Sequence, residues 1–174
     1  VGVHVGGVWR SEGDGWASSV PAEAGVHQVV AAGKTVAVAA ASGVGLSADG
    51  GRSWEWKQSG LPGPYCRAVA LADGWLVAAV APEQGARRSV LVRRPLADRS
   101  RSWVKCGDSG KDDLPDEFDH LVDTGALAAA GPIVALGTPA GDLLVSKDSG
   151  ATWEIVDDSI PGVSYVYVRP PAEG

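Results

Sequence analysis

Methionine is absent from the 174 residues, cysteine occurs twice and phenylalanine once. Two cysteines are too few for a disulfide-scaffolded fold. No run of about 18 apolar residues is present that would cross a bilayer as a helix. Positive charge is also scarce: 15 Lys and Arg stand against 21 Asp and Glu, for a formal net charge of -6. Binding along a nucleic-acid backbone relies on clustered cations that neutralise phosphates, and the only basic cluster here is local, from Arg87 to Arg101. Neither nucleic acid nor membrane insertion is therefore expected. The chain contains no G-x-S-x-G, H-E-x-x-H, G-x-x-x-x-G-K-[ST] or C-x-x-C, which removes the common signatures of a serine nucleophile, a zinc protease, a phosphate loop and a paired thiol. No cofactor and no metal are implied. The chain opens on Val1 without a charged n-region and apolar h-region. With the unpaired cysteines, this leans toward a cytoplasmic location, and richness in Ala, Val, Gly and Arg suggests a GC-rich bacterial gene.

What is present is an ordinary globular balance of 45% apolar and 21% charged residues, at the length of one domain. Twenty-four Gly and eleven Pro without a three-residue period indicate many tight turns, hence short strands. One pattern recurs. Ser47-Ala48-Asp49-Gly50-Gly51-Arg52-Ser53-Trp54 and Ser146-Lys147-Asp148-Ser149-Gly150-Ala151-Thr152-Trp153 share S-x-D-x-G-x-[ST]-W. A degenerate copy from Leu96 to Trp103 keeps Asp98, the hydroxyl of Ser102 and Trp103, and a shortened copy runs from Ser11 through Asp14 to Trp16. Such a box suits a tight connection between antiparallel strands. The Asp carboxylate bonds nearby backbone, glycine supplies a positive φ, and the Trp anchors the next strand. The residues expected to act structurally are Asp14, Trp16, Ser47, Asp49, Gly51, Trp54, Asp98, Trp103, Ser146, Asp148, Gly150 and Trp153.

In these motifs and their spacing the chain resembles the Asp-box (bacterial neuraminidase repeat) family of β-propellers, which includes sialidases and sortilin-type receptors. The resemblance implies an all-β fold of four-stranded antiparallel blades, about four blades' worth over residues 1–174, with each box joining the third strand of a blade to the fourth. Apolar runs then divide into units. One takes 26–58, with strands at Val26 to Ala32, Lys34 to Ala41, Val44 to Ser47 and Trp54 to Gln58. The next takes 66–106, with Cys66 to Ala72, Trp75 to Ala81, Ser89 to Arg93 and Trp103 to Cys106. The fourth takes 118–157, with His120 to Ala130, Pro132 to Thr138, Asp142 to Ser146 and Trp153 to Val156. The remainder, Val1 to Val5, Val8 to Ser11 and Trp16 to Val20, supplies three strands, and Val163 to Val168 is expected to return as the innermost strand of that same blade. A complete four-bladed ring, half of an eight-bladed ring made by two self-associating copies, and a piece of a larger ring all fit this arithmetic.

Propellers of this strand order, by resemblance, gather ligands at the channel mouth, on the face away from the boxes. The first residues of the innermost strands stand there: His27, Arg67, His120 and Tyr165. Such a ring suits a carboxylate or phosphate, while ordinary polar lining of a wet channel is the plainer alternative. The loop before His120 carries Asp112, Asp113, Asp116, Glu117 and Asp119, a protein-binding patch or solvated loop without the spacing of an EF-hand. Arg87 and Arg88 are candidates to pair with it. Sialidase chemistry, by resemblance, needs three Arg, a Tyr nucleophile with Glu, and an Asp acid, and the Phe-Arg-Ile-Pro segment is absent. The expectation is therefore a noncatalytic platform for a protein or carbohydrate partner, with a sialidase-like glycoside hydrolase as the alternative. Cys66 opens an innermost strand and Cys106 closes an outermost one, about 14 Å apart at the usual strand spacing, too far for a disulfide.

Overall fold

The computed structural model describes residues 1–3, 6–57, 59–98, 100–107 and 112–169. His4, Val5, Gln58, Arg99 and residues 108–111, assigned above to strands, a box and a loop, lie outside the described residues, as do residues 170–174. Fifteen strands are present among the described residues: β1 (Gly2–Val3), β2 (Gly7–Glu12), β3 (Gly15–Val20), β4 (Val26–Ala32), β5 (Thr35–Ala40), β6 (Gly43–Ser47), β7 (Glu55–Lys57), β8 (Tyr65–Ala72), β9 (Trp75–Ala81), β10 (Val90–Pro95), β11 (Val104–Lys105), β12 (Leu127–Ala130), β13 (Ile133–Gly137), β14 (Leu143–Ser146) and β15 (Glu154–Asp157). They form four antiparallel meanders in chain order, β1–β3, β4–β7, β8–β11 and β12–β15.

The core lies between successive sheets rather than within one layer. In β9, Leu76, Ala78 and Val80 pack toward the second sheet with Ala37, Ala39, Val44 and Leu46. The alternate residues Val77 and Ala79 pack toward the fourth sheet with Leu127, Val134, Leu136 and Trp153. A strand buried on both faces needs apolar residues at every position, which is why Trp75-Leu-Val-Ala-Ala-Val-Ala81 is an unbroken apolar run. A third cluster joins the first two sheets through Val8, Val20, Val26, Val38 and Ala40. Cys66 and Cys106 are buried free thiols in different clusters.

Hydrogen bonding explains the two full boxes. The Ser47 hydroxyl accepts the Gly51 N–H (2.8 Å) and donates to Asp49 (2.8 Å), and Asp49 accepts the Arg52 and Ser53 N–H groups (both 2.9 Å) and the Ser53 hydroxyl (2.6 Å). Ser146, Asp148, Gly150, Ala151 and Thr152 repeat this network bond for bond. Each box also braces the preceding sheet. The Trp54 indole N–H donates to the Ser19 hydroxyl (2.8 Å), and Arg93 of β10 reaches the carbonyls of Asp148 and Ser149.

The weaker copies behave differently. Among the described residues Asp98 accepts the Ser100 N–H and hydroxyl and pairs with Arg101, without the leading Ser of the full boxes, though Trp103 is buried beneath Arg94. The Ser11–Trp16 copy is a plain two-residue hairpin in which Glu12 faces Gly15, and Trp16 is 60% exposed instead of anchoring a blade. Two strand assignments also change. The fourth inner strand starts at Leu127, not His120, because residues before it are held by loop contacts rather than a ladder. Val163 to Val168 forms no strand and does not complete the first sheet, which has three strands. The Val163 N–H donates to the Thr138 carbonyl and the Val166 N–H to the Gly125 carbonyl (both 2.8 Å), which hold this segment on the fourth sheet instead.

Candidate functional site

The first strands of three sheets, β4, β8 and β12, stand side by side around a cleft of about 550 Å³. Antiparallel order puts the first-to-second and third-to-fourth connections at one end of each sheet. The second-to-third connections share the other end with the links between sheets. Backbone bonds confirm the grouping: the Gly50 N–H in a box donates to the Lys34 carbonyl, and the Ser149 N–H to the Pro132 carbonyl. At the opposite end, Ser89 and Phe118 exchange both backbone hydrogen bonds, which staples the acidic loop to the start of the third strand of its sheet.

At that loop end β4 and β8 both begin with a register shift, between Val26 and Gln28 and between Cys66 and Ala68. The residue skipped in each case is a predicted site residue, His27 and Arg67. A bulge leaves its extra residue out of the ladder and re-aims its side chain, so one local device presents both groups at equivalent places. Arg67 is the hub of the cluster. Its Nε and Nη2 lie 2.8 and 2.7 Å from Asp123 Oδ1, and its Nη1 lies 3.4 Å from the Tyr65 hydroxyl. Asp123 Oδ1 also accepts the Thr124 N–H (2.6 Å), and the Thr124 hydroxyl donates to the Arg67 carbonyl (3.1 Å). The His27 ring meets Tyr65 edge-on at 5.2 Å. Farther along the same seam, the Val69 N–H donates to Gln28 Oε1 (3.1 Å). His27, Tyr65, Arg67, Asp123 and Thr124 thus form one chain of contacts from β4 through β8 to the turn before β12. Beside it opens a cleft of about 440 Å³ whose walls include Asp123, Thr124, Pro139 and Ser164.

Tyr65, Asp123 and Thr124 were not singled out by sequence. Tyr65 sits one residue before the predicted strand start and had a detectable signal in that position. Asp123 had none, because its partner lies 56 residues away. His120 does not join the chain of contacts. Its Nδ1 is 3.0 Å from Asp119, its ring packs edge-on to Phe118 at 5.4 Å, and its carbonyl accepts the Ser89 hydroxyl. Tyr165 is 70% exposed, with its ring against Gly125.

The acidic loop is taken up largely by local bonds. Asp112 accepts the Leu114 N–H, Asp113 accepts the Ile155 N–H of the outermost strand β15, Asp116 meets Lys105 at 2.6 Å, and Glu117 lies 3.7 Å from Arg88. Hydrogen bonding and charge from Lys105 lower the Asp116 pKa, and those from His120 lower that of Asp119. Arg87 is exposed, and Arg93 lies 4.1 Å over the Trp75 ring. Arg67 pairs with Asp123, Arg88 with Glu117 and Arg93 with Trp75, so these arginines do not share one partner among the described residues. Nor do three His, Cys, Asp or Glu gather there in a way that would hold a metal.

No family model matches the chain, and no curated protein matches by sequence. Solved structures do match. A GH74 xyloglucanase from Xanthomonas campestris superposes with a TM-score of 0.59 at 21% identity, over 88% of this chain and 27% of that one. YCF48 from Cyanidioschyzon merolae gives 0.51 at 18% identity, over 78% and 38%, and YCF48 bound to D1 peptide gives 0.54 at 18%, over 79% and 41%. The fold is a β-propeller. The chain spans between about a quarter and two fifths of the length of these propeller proteins. No helix among the described residues is long and apolar enough to cross a membrane.

Proposed function

We propose that this chain is a noncatalytic propeller platform that binds a protein segment at its loop end, with Arg67 as the principal contact. The observation that carries the reading is the Arg67–Asp123 pair. It is a half-exposed ion pair between the inner strand β8 and the turn before β12, at the edge of an open cleft. An acidic side chain or a chain carboxylate arriving there replaces Asp123 on a guanidinium already aimed by a bulge. His27 and Tyr65 flank that position, while His120 and the 112–119 loop form an outer rim. The cleft also holds an extended segment of the chain itself through backbone bonds at Val163, and YCF48, one of the similar structures, is bound to a peptide. The repeated box network supports placing the chain with the Asp-box propellers.

The alternative reading, a glycoside hydrolase, draws on the fold likeness to the xyloglucanase. It requires two carboxyl groups facing each other across the scissile bond, and the carboxylate in the contact chain at the mouth, Asp123, is already engaged by Arg67 and Thr124. The test is a peptide library rich in acidic and C-terminal sequences, screened beside a glycan array. The expected result is peptide binding that weakens at least about tenfold in Arg67→Ala and recovers in part in Arg67→Lys. Peptide binding indifferent to Arg67→Ala, or turnover of glycosides, would overturn the proposal.

A further inference from the structure

The loop end of the third sheet carries a second feature beside Arg67. A notch of about 160 Å³ opens there, lined by Val80 and Ala81 of β9, Val90 of β10, Pro62 of the link from the second sheet and Pro82 of the connection after β9. Val80 and Ala81 are buried, whereas both prolines are exposed. Pockets that enclose a small-molecule ligand start at about 300 Å³, so this one has room for a single side chain. Its chemistry is apolar. Proline has no N–H to donate. The Ser89 hydroxyl, which also faces the notch, is taken up: it donates to the His120 carbonyl (2.8 Å) and accepts the Val122 N–H (3.1 Å). The charged groups of the lining are Arg88 and Glu117, exposed and 3.7 Å apart.

Register relates the notch to Arg67. Cys66, Val80 and Val90 are neighbours in one row across β8, β9 and β10, and Arg67 is the bulged residue next to Cys66. Adjacent strands lie about 4.8 Å apart. The notch, at β9 and β10, is therefore about 5–10 Å across the sheet from the Arg67 backbone. An extended chain advances about 3.3 Å per residue, which makes that interval two or three residues. The protein already lays a stretch of itself along this edge. Residues 117–123 carry Glu117 to Arg88, pair Phe118 with Ser89 at the start of the third strand, and bring Asp123 to Arg67 on the first.

We propose that the notch is the second contact point of the segment bound at Arg67, and that it takes one aliphatic or aromatic side chain two or three residues from the carboxylate that meets the guanidinium. The partner is then an extended segment in which an acidic and an apolar residue are separated by one or two others. This inference rests on the reading of Arg67 given above and adds what the ion pair lacks. Exposed charge pairs contribute little and are screened by salt, whereas an apolar side chain entering a pit adds affinity that salt does not remove.

The test uses ten-residue peptides of Gly and Ser that carry one Glu and one Leu, with their separation stepped from one to six, titrated into the full chain and followed by NMR chemical shifts. Affinity is expected to peak at separations of two and three, about tenfold above the same peptide with Ala in place of Leu. In the double variant Pro62→Ala, Pro82→Ala, that advantage of Leu is expected to fall to about twofold or less. If the double variant does not fold, the separation series on the unaltered chain decides alone. Binding that depends on Arg67 but is indifferent to Leu or to its position overturns this inference and leaves the Arg67 reading standing. Leu binding of equal strength in peptides without Glu and in Arg67→Ala also overturns it, because the notch is then a separate site. No Arg67-dependent binding of any peptide up to about 10 mM overturns both.

Discussion

Replacing Asp148 by Ala removes the acceptor of four hydrogen bonds: from the Ala151 N–H (3.0 Å), the Thr152 N–H (2.8 Å), the Thr152 hydroxyl (2.7 Å) and the Ser146 hydroxyl (2.9 Å). A hydrogen bond to a charged group stabilises by about 1.5–3 kcal/mol when water is excluded. This carboxylate is largely exposed, so competition from solvent cuts each bond to about 0.5 kcal/mol, and the sum is about 2 kcal/mol. For a chain of this size that is about 4–8 °C in Tm. Asp148→Asn keeps one oxygen for the two backbone donors and should lose about half as much. The pH dependence separates this account from a mere packing effect. Partial burial opposes the Asp148 charge, but the Thr152 N–H and hydroxyl, the Ser146 hydroxyl and the Ala151 N–H outweigh it and lower the pKa. A carboxyl with a lowered folded-state pKa stabilises fully above the ordinary range near 4, and that stabilisation fades as pH falls below it. Urea unfolding should therefore show the gap between the wild-type chain and Asp148→Asn narrowing from about pH 5 to about pH 2. A cost for Asp148→Ala below about 0.5 kcal/mol, or a gap unchanged down to acid pH, would refute the reasoning.

Burial pushes the Cys66 and Cys106 thiols up to about 12, so the folded chain should not react with a thiol reagent at pH 8. Both thiols should titrate once guanidinium unfolds it, and a thiol that reacts in the folded state would mean that the sheet interfaces open. Gly137→Ala places a methyl against Val163 and is expected to release residues 163–168 to proteolysis while the sheet circular dichroism persists. Unchanged protection of that segment would show that Gly137 is not what seats it.

Trp75–Ala81 matches its predicted strand residue for residue because a strand buried on both faces has no polar positions to blur its limits. The two full boxes were equally legible, since every bond that defines them spans four residues or fewer. The site was legible only in part. His27 and Arg67 could be placed at strand starts, but the bulges that aim them depend on pairing with β5 and β9, and Asp123 depends on the third and fourth sheets meeting. His120 was misplaced because Val122 and Ala126 are buried by the loop's fold, not by a ladder, yet give the same apolar signal as a strand. Trp16 was misjudged for a related reason. A local motif specifies the turn that precedes a Trp but not the surface that covers it.

The bonds around Arg67 also hold the third and fourth sheets together, so the proposed binding there bears on how those sheets meet. Arg67 bonds Asp123 through its side chain and Thr124 through its carbonyl, so it fastens β8 to the turn that begins the fourth sheet. A ligand that takes the guanidinium leaves the Thr124 bond and frees only the carboxylate. The seam is therefore weakened, not opened. Binding at Arg67 and the seating of residues 163–168 would then be coupled through Asp123–Gly125, because Gly125 receives Val166 on one side while Asp123 holds Arg67 on the other. Coupling of that kind is reciprocal, so Asp123→Asn, which weakens the hold on Arg67 without removing a bonding group, should change peptide affinity and the resistance of residues 163–168 to proteolysis together. A change in one without the other would show that the mouth and that segment are energetically separate.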